Sequence, residues 1–143
     1  MRQLLRELHD ARLILEPPIA AQAAQHLTDA ELERLRNVVD SMAMHEQAPE
    51  RYLQLDVDFH MEICRATRNR ILDRFMYSSR WWQSASRRVT NQGPRALPVA
   101  TEQHRAVYEA LAARDPARAE AAMREHLLTN TLITVTEEAA GAS

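Results

Sequence analysis

Residues 53–64 read LQLDVDFHMEIC. On a helix turning about 100° per residue, Leu53, Val57, Ile63 and Cys64 share one stripe, and Asp56, His60 and Thr67 fall on that same stripe. Gln54, Asp58, Glu62 and Arg65 fall opposite, as a solvated face should. The helix therefore turns a carboxylate and an imidazole toward the core. An unpaired buried carboxylate costs several kcal/mol, so whatever packs against this helix must bring it a partner.

Two further segments repeat the pattern. Ala100, His104, Val107, Tyr108 and Leu111 share a stripe, opposite Glu102, Arg105 and Glu109. Ala119, Ala122, Met123, His126, Asn130 and Ile133 share another. One inward histidine alone is usually a satisfied core residue. Three of them with an inward aspartate suit a metal ion, which accepts both carboxylate and neutral imidazole. Asp56 and His60 stand one turn apart, about 6 Å, and can hold one ion together. His9, His26 and His45 fit surface positions, and Cys64 reads as a small buried hydrophobe.

The rest of the chain reads as helix. Its 143 residues include only two glycines and are rich in Ala, Leu, Arg, Glu and Gln. The expected fold is all-α, an antiparallel bundle of about six or seven helices in a single domain over 1–143. A first helix is expected from Gln3 to Leu27, kinked or interrupted at Pro17–Pro18. Thr28 and Glu31 form a capping box opening a helix that ends near His45. Pro49 starts the helix that ends near Thr67, and another follows from Asn69 to Thr90. NQGPRALP is a loop, Val99–Ala113 a helix, and Asp115 caps a last helix that fades near Glu138.

A net charge of −2 is not the footprint of a domain that grips a phosphate backbone. All 18 basic residues are arginine, a planar partner for carboxylates. With one cysteine, no leader-like start and no apolar run near the ~20 residues of a membrane span, a cytoplasmic protein is expected.

LDVDFHMEICRATRN resembles the D-x-x-F-H…(S/T)-x-N signature of the FCD domain, the effector-binding half of FadR-type GntR transcription regulators. ARLILEPPIAAQAA and EQHRAVYEALAARDPARAEAAMREHL resemble that family's opening and closing segments, in order and at matching spacing. The resemblance implies a usually dimeric helical bundle. In its metal-binding members one divalent ion is held by residues that map onto Asp56, His60, His104 and His126. It further implies a small organic acid as ligand: a sugar acid, hydroxy acid or dicarboxylate. The winged helix-turn-helix half of such regulators is expected to be absent from this chain, so that DNA is reached only through that missing part.

On this resemblance the ion is expected to be zinc, on availability, with nickel, manganese, iron or copper also admitted by the ligands. Arg12 matches the family's arginine and either clamps an effector carboxylate or pairs with Glu16 one turn on. Arg80 or Arg88 is expected to line the pocket, and Trp82 to form an apolar wall if it is the tryptophan of the pair facing inward. Asn130 would bond an effector hydroxyl or a bound water. Two other functions remain open: a metal-dependent hydrolase or lyase, and a dimerisation module with a stabilising metal. The enzyme would need a further inward glutamate, and none is evident in the sequence.

Overall fold

The computed structural model describes residues 2–90 and 95–141, with the side chains at 2, 82, 86, 89, 90 and 130–141 outside the described set. Six helices follow one another: α1 (Arg2–His26), α2 (Asp29–Met44), α3 (Pro49–Ala66), α4 (Arg70–Thr90), α5 (Ala96–Ala112) and α6 (Pro116–Gly141). Among the described residues there is no strand. The bundle is all-α, as the composition and periodicity predict.

Short connections turn the chain back on itself between α2 and α3, α3 and α4, and α5 and α6, and each of these pairs packs together. The first junction is different. Leu27 and Thr28 make a corner, so that α1 leaves to pack chiefly on α6 while α2 packs on α3 and α5. Thr28 Oγ1 accepts the Glu31 N–H at 3.2 Å, and Glu31 accepts the Thr28 N–H at 2.8 Å, which is the expected capping box. Two arginines brace the corner from elsewhere. Arg68 and Arg114 end α3 and α5 in the left-handed conformation, at φ 59° and 56°. Arg68 grips both Glu31 oxygens, at 2.6 and 2.8 Å, and Arg114 donates to Leu27 O and Asp29.

Three helices differ from expectation in extent or continuity. α1 runs unbroken through Pro17 and Pro18, although two successive prolines remove two backbone donors. Packing of its small-residue face, Ala20, Ala23 and Ala24, against the core outweighs the two lost bonds. α5 begins at Ala96 rather than Val99, so Pro98 lies in its first turn, where an N–H has no intrahelical acceptor in any case. α6 extends past Glu138 to Gly141. The loop residues 91–94 lie outside the described set.

The main core joins Leu35, Phe59, Ile63, Val107, Leu111 and Met123, among others, from α1 to α6. A smaller cluster of Met42, Tyr52, Leu55, Leu97 and Ala100 closes the other end. The Asp56, His60 and His104 side chains adjoin this apolar framework: Phe59 sets its ring edge-on to both His60 and His104, and Tyr52 to His104.

Arg68 holds the Glu31 carboxyl down at about 2. A carboxyl depressed in the folded state adds stability above its unfolded value near 4.3, and that stability is lost as pH falls toward 2. Arg68→Ala should therefore lower stability at pH 7, and the variant and the wild type should converge in urea unfolding as pH approaches 2.

Candidate metal centre

Asp56, His60, His104 and His126 meet in the interior, each offering one ligand-type atom, with these atoms all within 4.8 Å of one another. None is more than 2% exposed. The helical period of three separate segments places them there. α3 presents Asp56 and His60 one turn apart, α5 presents His104, and α6 presents His126. Asp56 Oδ1 lies 3.3 Å from His60 Nε2 and 3.2 Å from His104 Nε2, and His126 Nε2 lies 3.3 Å from His60 Nε2.

The outer ring nitrogens decide which protons are present. His104 Nδ1 is 2.6 Å from Ala100 O, one turn back on its own helix, and a carbonyl can only accept. His60 Nδ1 sits against Glu16 Oε2, again an acceptor. A neutral ring that donates there carries its proton on Nδ1 and turns its Nε2 lone pair toward Asp56 Oδ1. In that tautomer acceptor faces acceptor at both distances, an arrangement that a shared cation would satisfy. Among the described residues the buried His126 Nδ1 finds no hydrogen-bond partner.

Glu16, expected only as a partner for Arg12, and Arg87, which the sequence does not single out, both reach the centre. Glu16 on α1 is buried, accepts from Arg12 Nε at 2.7 Å and lies 3.9 Å from Arg87 Nη2. Of the α4 arginines, Arg87 is the one that turns inward, donating from Nε to Asp56 Oδ1 at 2.9 Å and from Nη1 to Gln83 at 3.1 Å. Arg80 is exposed, with its guanidinium on the Tyr77 ring and donating to Tyr77 O, and the exposed Arg88 pairs with Glu50. The expectation that Arg80 or Arg88 turns inward is thus corrected: the inward stripe of α4 runs Met76, Gln83, Arg87. Arg12 forms the expected pair with Glu16. The Trp82 and Asn130 side chains lie outside the described residues. An inward glutamate does exist, contrary to the sequence reading, but its carboxylate is already engaged by Arg12 and His60.

Burial by itself raises the Asp56 carboxyl, yet Arg87 and the neighbouring His104 and His60 hold it well below the usual carboxylate range. Burial likewise opposes Glu16 ionisation, and Arg12, His60 and Arg87 overcome it. Burial keeps His104 below its ordinary value against the pull of Asp56. It lowers His126 strongly, helped by the nearby His104 and His60. The interior thus holds two carboxylates and two guanidiniums in balance, beside the neutral imidazoles of His104 and His126. Cys64 is buried but outside this group, and burial pushes its thiol up to about 11.

An all-helical bundle of this kind has counterparts among known proteins. Residues 7–129 match the FCD domain, and the chain belongs to that family. It is 31% identical over 119 residues to the HTH-type transcriptional regulator YcbG of Bacillus subtilis, covering 82% of this chain and 49% of that protein. It is 24% identical over 130 residues to the galactonate operon transcriptional repressor of Escherichia coli, covering 90% of this chain and 57% of that protein. A GntR structure from Streptococcus agalactiae superposes with a TM-score of 0.74 at 27% identity, over 90% of this chain and 58% of that one. The chain spans about half the length of the curated relatives it matches. These relatives are named as regulators, and the chain is an FCD domain of the GntR-type regulator family, an effector-binding class.

Asp56→Ala strands the buried Arg87 charge and should destabilise the chelated protein by about 3–5 kcal/mol in denaturant unfolding. Arg80→Ala, at the surface, should stay within about 0.5 kcal/mol of wild type. Because His104 and His126 are held neutral in the fold, the unfolded chain binds more protons below about 6.5. Wild-type stability should therefore drop between pH 7 and pH 5 in chelator.

Proposed function

We propose that this domain senses a small organic acid at one divalent metal ion held by Asp56, His60, His104 and His126. The observation that carries the reading is the convergence of one carboxylate oxygen and three imidazoles, all buried. Three neutral nitrogens and one anionic oxygen suit zinc first, and nickel, iron, copper or manganese also. A bound ion would supply Lewis-acid coordination for a carboxylate or hydroxyl oxygen of the effector.

Charge balance supports an acid as that effector. Asp56 and Glu16 already offset Arg12 and Arg87. A divalent ion added to this neutral interior leaves an excess positive charge, and an anion beside it restores balance. Arg12 lines a small cavity together with Glu16, Met76, Ser79 and Gln83, and would orient the effector carboxylate from there. One relative is named for the galactonate operon, and galactonate is a sugar acid. In the whole regulator a homodimer would read the bound acid as a shift between bundle geometries, passed to DNA by a linked winged-helix half. The hydrolase or lyase reading loses ground because Glu16, the one buried glutamate among the described residues, is already engaged by Arg12 and His60.

Elemental analysis of protein purified near neutral pH should find about one divalent ion per chain, lost in acid as the ligands protonate. An organic acid at 100 times its dissociation constant should then stabilise the domain by about 2.7 kcal/mol, and the gain should vanish on chelation. No bound transition metal even after reconstitution would reject the site. Equal affinity of the acid for metal-free and loaded protein would make the ion purely structural.

Arg12→Ala separates the effector from the ion. It should weaken the acid by roughly 10- to 150-fold, the value of a charge-assisted hydrogen bond of about 1.5–3 kcal/mol. Calorimetry with the acid on the metal-loaded variant measures this. Unchanged affinity would remove Arg12 from the effector site.

A further inference from the structure

Three of the six helices supply the four converging atoms, and α1 supplies none of them. Yet α1 places the Glu16 carboxylate against His60 Nδ1, with a side chain only 3% exposed. We propose that Glu16 is a positioning residue of the centre: it fixes the His60 ring in the orientation and tautomer that leave Nε2 open to a metal ion. This rests on the metal reading above.

The other two imidazoles show why His60 needs such a partner. His104 is oriented from within α5, through its bond to Ala100 O one turn back, so any intact α5 sets that ring. Neither His126 Nδ1 nor His60 Nδ1 makes a regular hydrogen bond among the described residues. His60 Nδ1, however, lies in close contact with a carboxylate oxygen from another helix, Glu16 Oε2, across the α1–α3 contact. A carboxylate behind a ligating imidazole fixes the tautomer, restrains ring rotation and raises the basicity of the far nitrogen. Glu16 also shares its second oxygen with Arg12 at 2.7 Å, which keeps that guanidinium charge compensated beside a site that would take a cation. Removing Glu16 would therefore release the ring and leave an uncompensated positive charge next to the ion.

Two measurements test this. In metal-free wild-type protein at mildly alkaline pH, long-range ¹H–¹⁵N NMR should find His60 protonated on Nδ1 and bare on Nε2. Zinc competition titration should find Glu16→Ala about 10- to 100-fold weaker than wild type, the usual effect of losing such a partner. In that variant the His60 tautomer should become mixed. Should Glu16→Ala fail to fold, Glu16→Gln carries the affinity test, because its one carbonyl oxygen cannot serve both Arg12 and His60, and a several-fold loss is expected. A purely structural Glu16 would lower stability while leaving tautomer and zinc affinity unchanged, and that result overturns the proposal. So does an Nε2–H tautomer of His60 in the wild type. If the wild type binds no zinc but His60 still carries its proton on Nδ1, the metal reading fails instead, and the positioning role fails with it while the Glu16–His60 contact stands.

Discussion

The Asp56–Arg87 pair is the interaction on which the interior depends. A lone carboxylate there would be costly, and the guanidinium from α4 at 2.9 Å removes most of that cost. Around the same oxygen lie His60 Nε2 from α3 at 3.3 Å and His104 Nε2 from α5 at 3.2 Å. The second pair, Glu16 with Arg12, does the same at the α1 side. The polar centre is thus two ion pairs crossed by three imidazoles, and five of the six helices contribute to it. Such a centre ties helix positions to one another more stringently than apolar packing, because hydrogen bonds and ion pairs are directional.

That coupling suits a sensor. Apolar contacts tolerate small slides between helices, but directional polar contacts among α3, α5 and α6 do not. Anything that changes the charge or coordination at the centre changes the preferred relation of those helices. The corner between α1 and α2 is held separately, at the surface, by Arg68 and Arg114 reaching back from the ends of α3 and α5. The fold therefore has a buried polar junction and an exposed one. The buried junction carries the chemistry; the exposed one closes the framework.

Much of this was legible in the chain. Helical period alone set Asp56, His60, His104 and His126 inward, because burial on a helix repeats every 3.6 residues whatever the helix packs against. The capping box at Thr28 and Glu31 and the Asp115 cap are equally local: their partners lie three residues away. Glu16 lies on the stripe of Ile19, Ala20, Ala23 and Leu27, but only if α1 runs unbroken through Pro17 and Pro18. Expecting a kink or break there severs the phase between Glu16 and the alanines, and the inward glutamate disappears from view. Arg87 was readable in principle, below Met76 and Gln83, but arginine at a core position contradicts ordinary burial preferences.

The sequence by itself determined the helices, their inward faces and the four residue types that converge. Those depend on residues within a turn or two of each other. Only the tertiary structure decided that Arg87 rather than Arg80 or Arg88 meets Asp56, and that Glu16 backs His60. It also decided that one nitrogen of each imidazole lies within 4.8 Å of the Asp56 oxygen and of the others. These are contacts between helices, with partners 31 residues apart for Asp56 and Arg87 and 66 for His60 and His126. Their geometry follows from how whole helices pack, which no local period encodes.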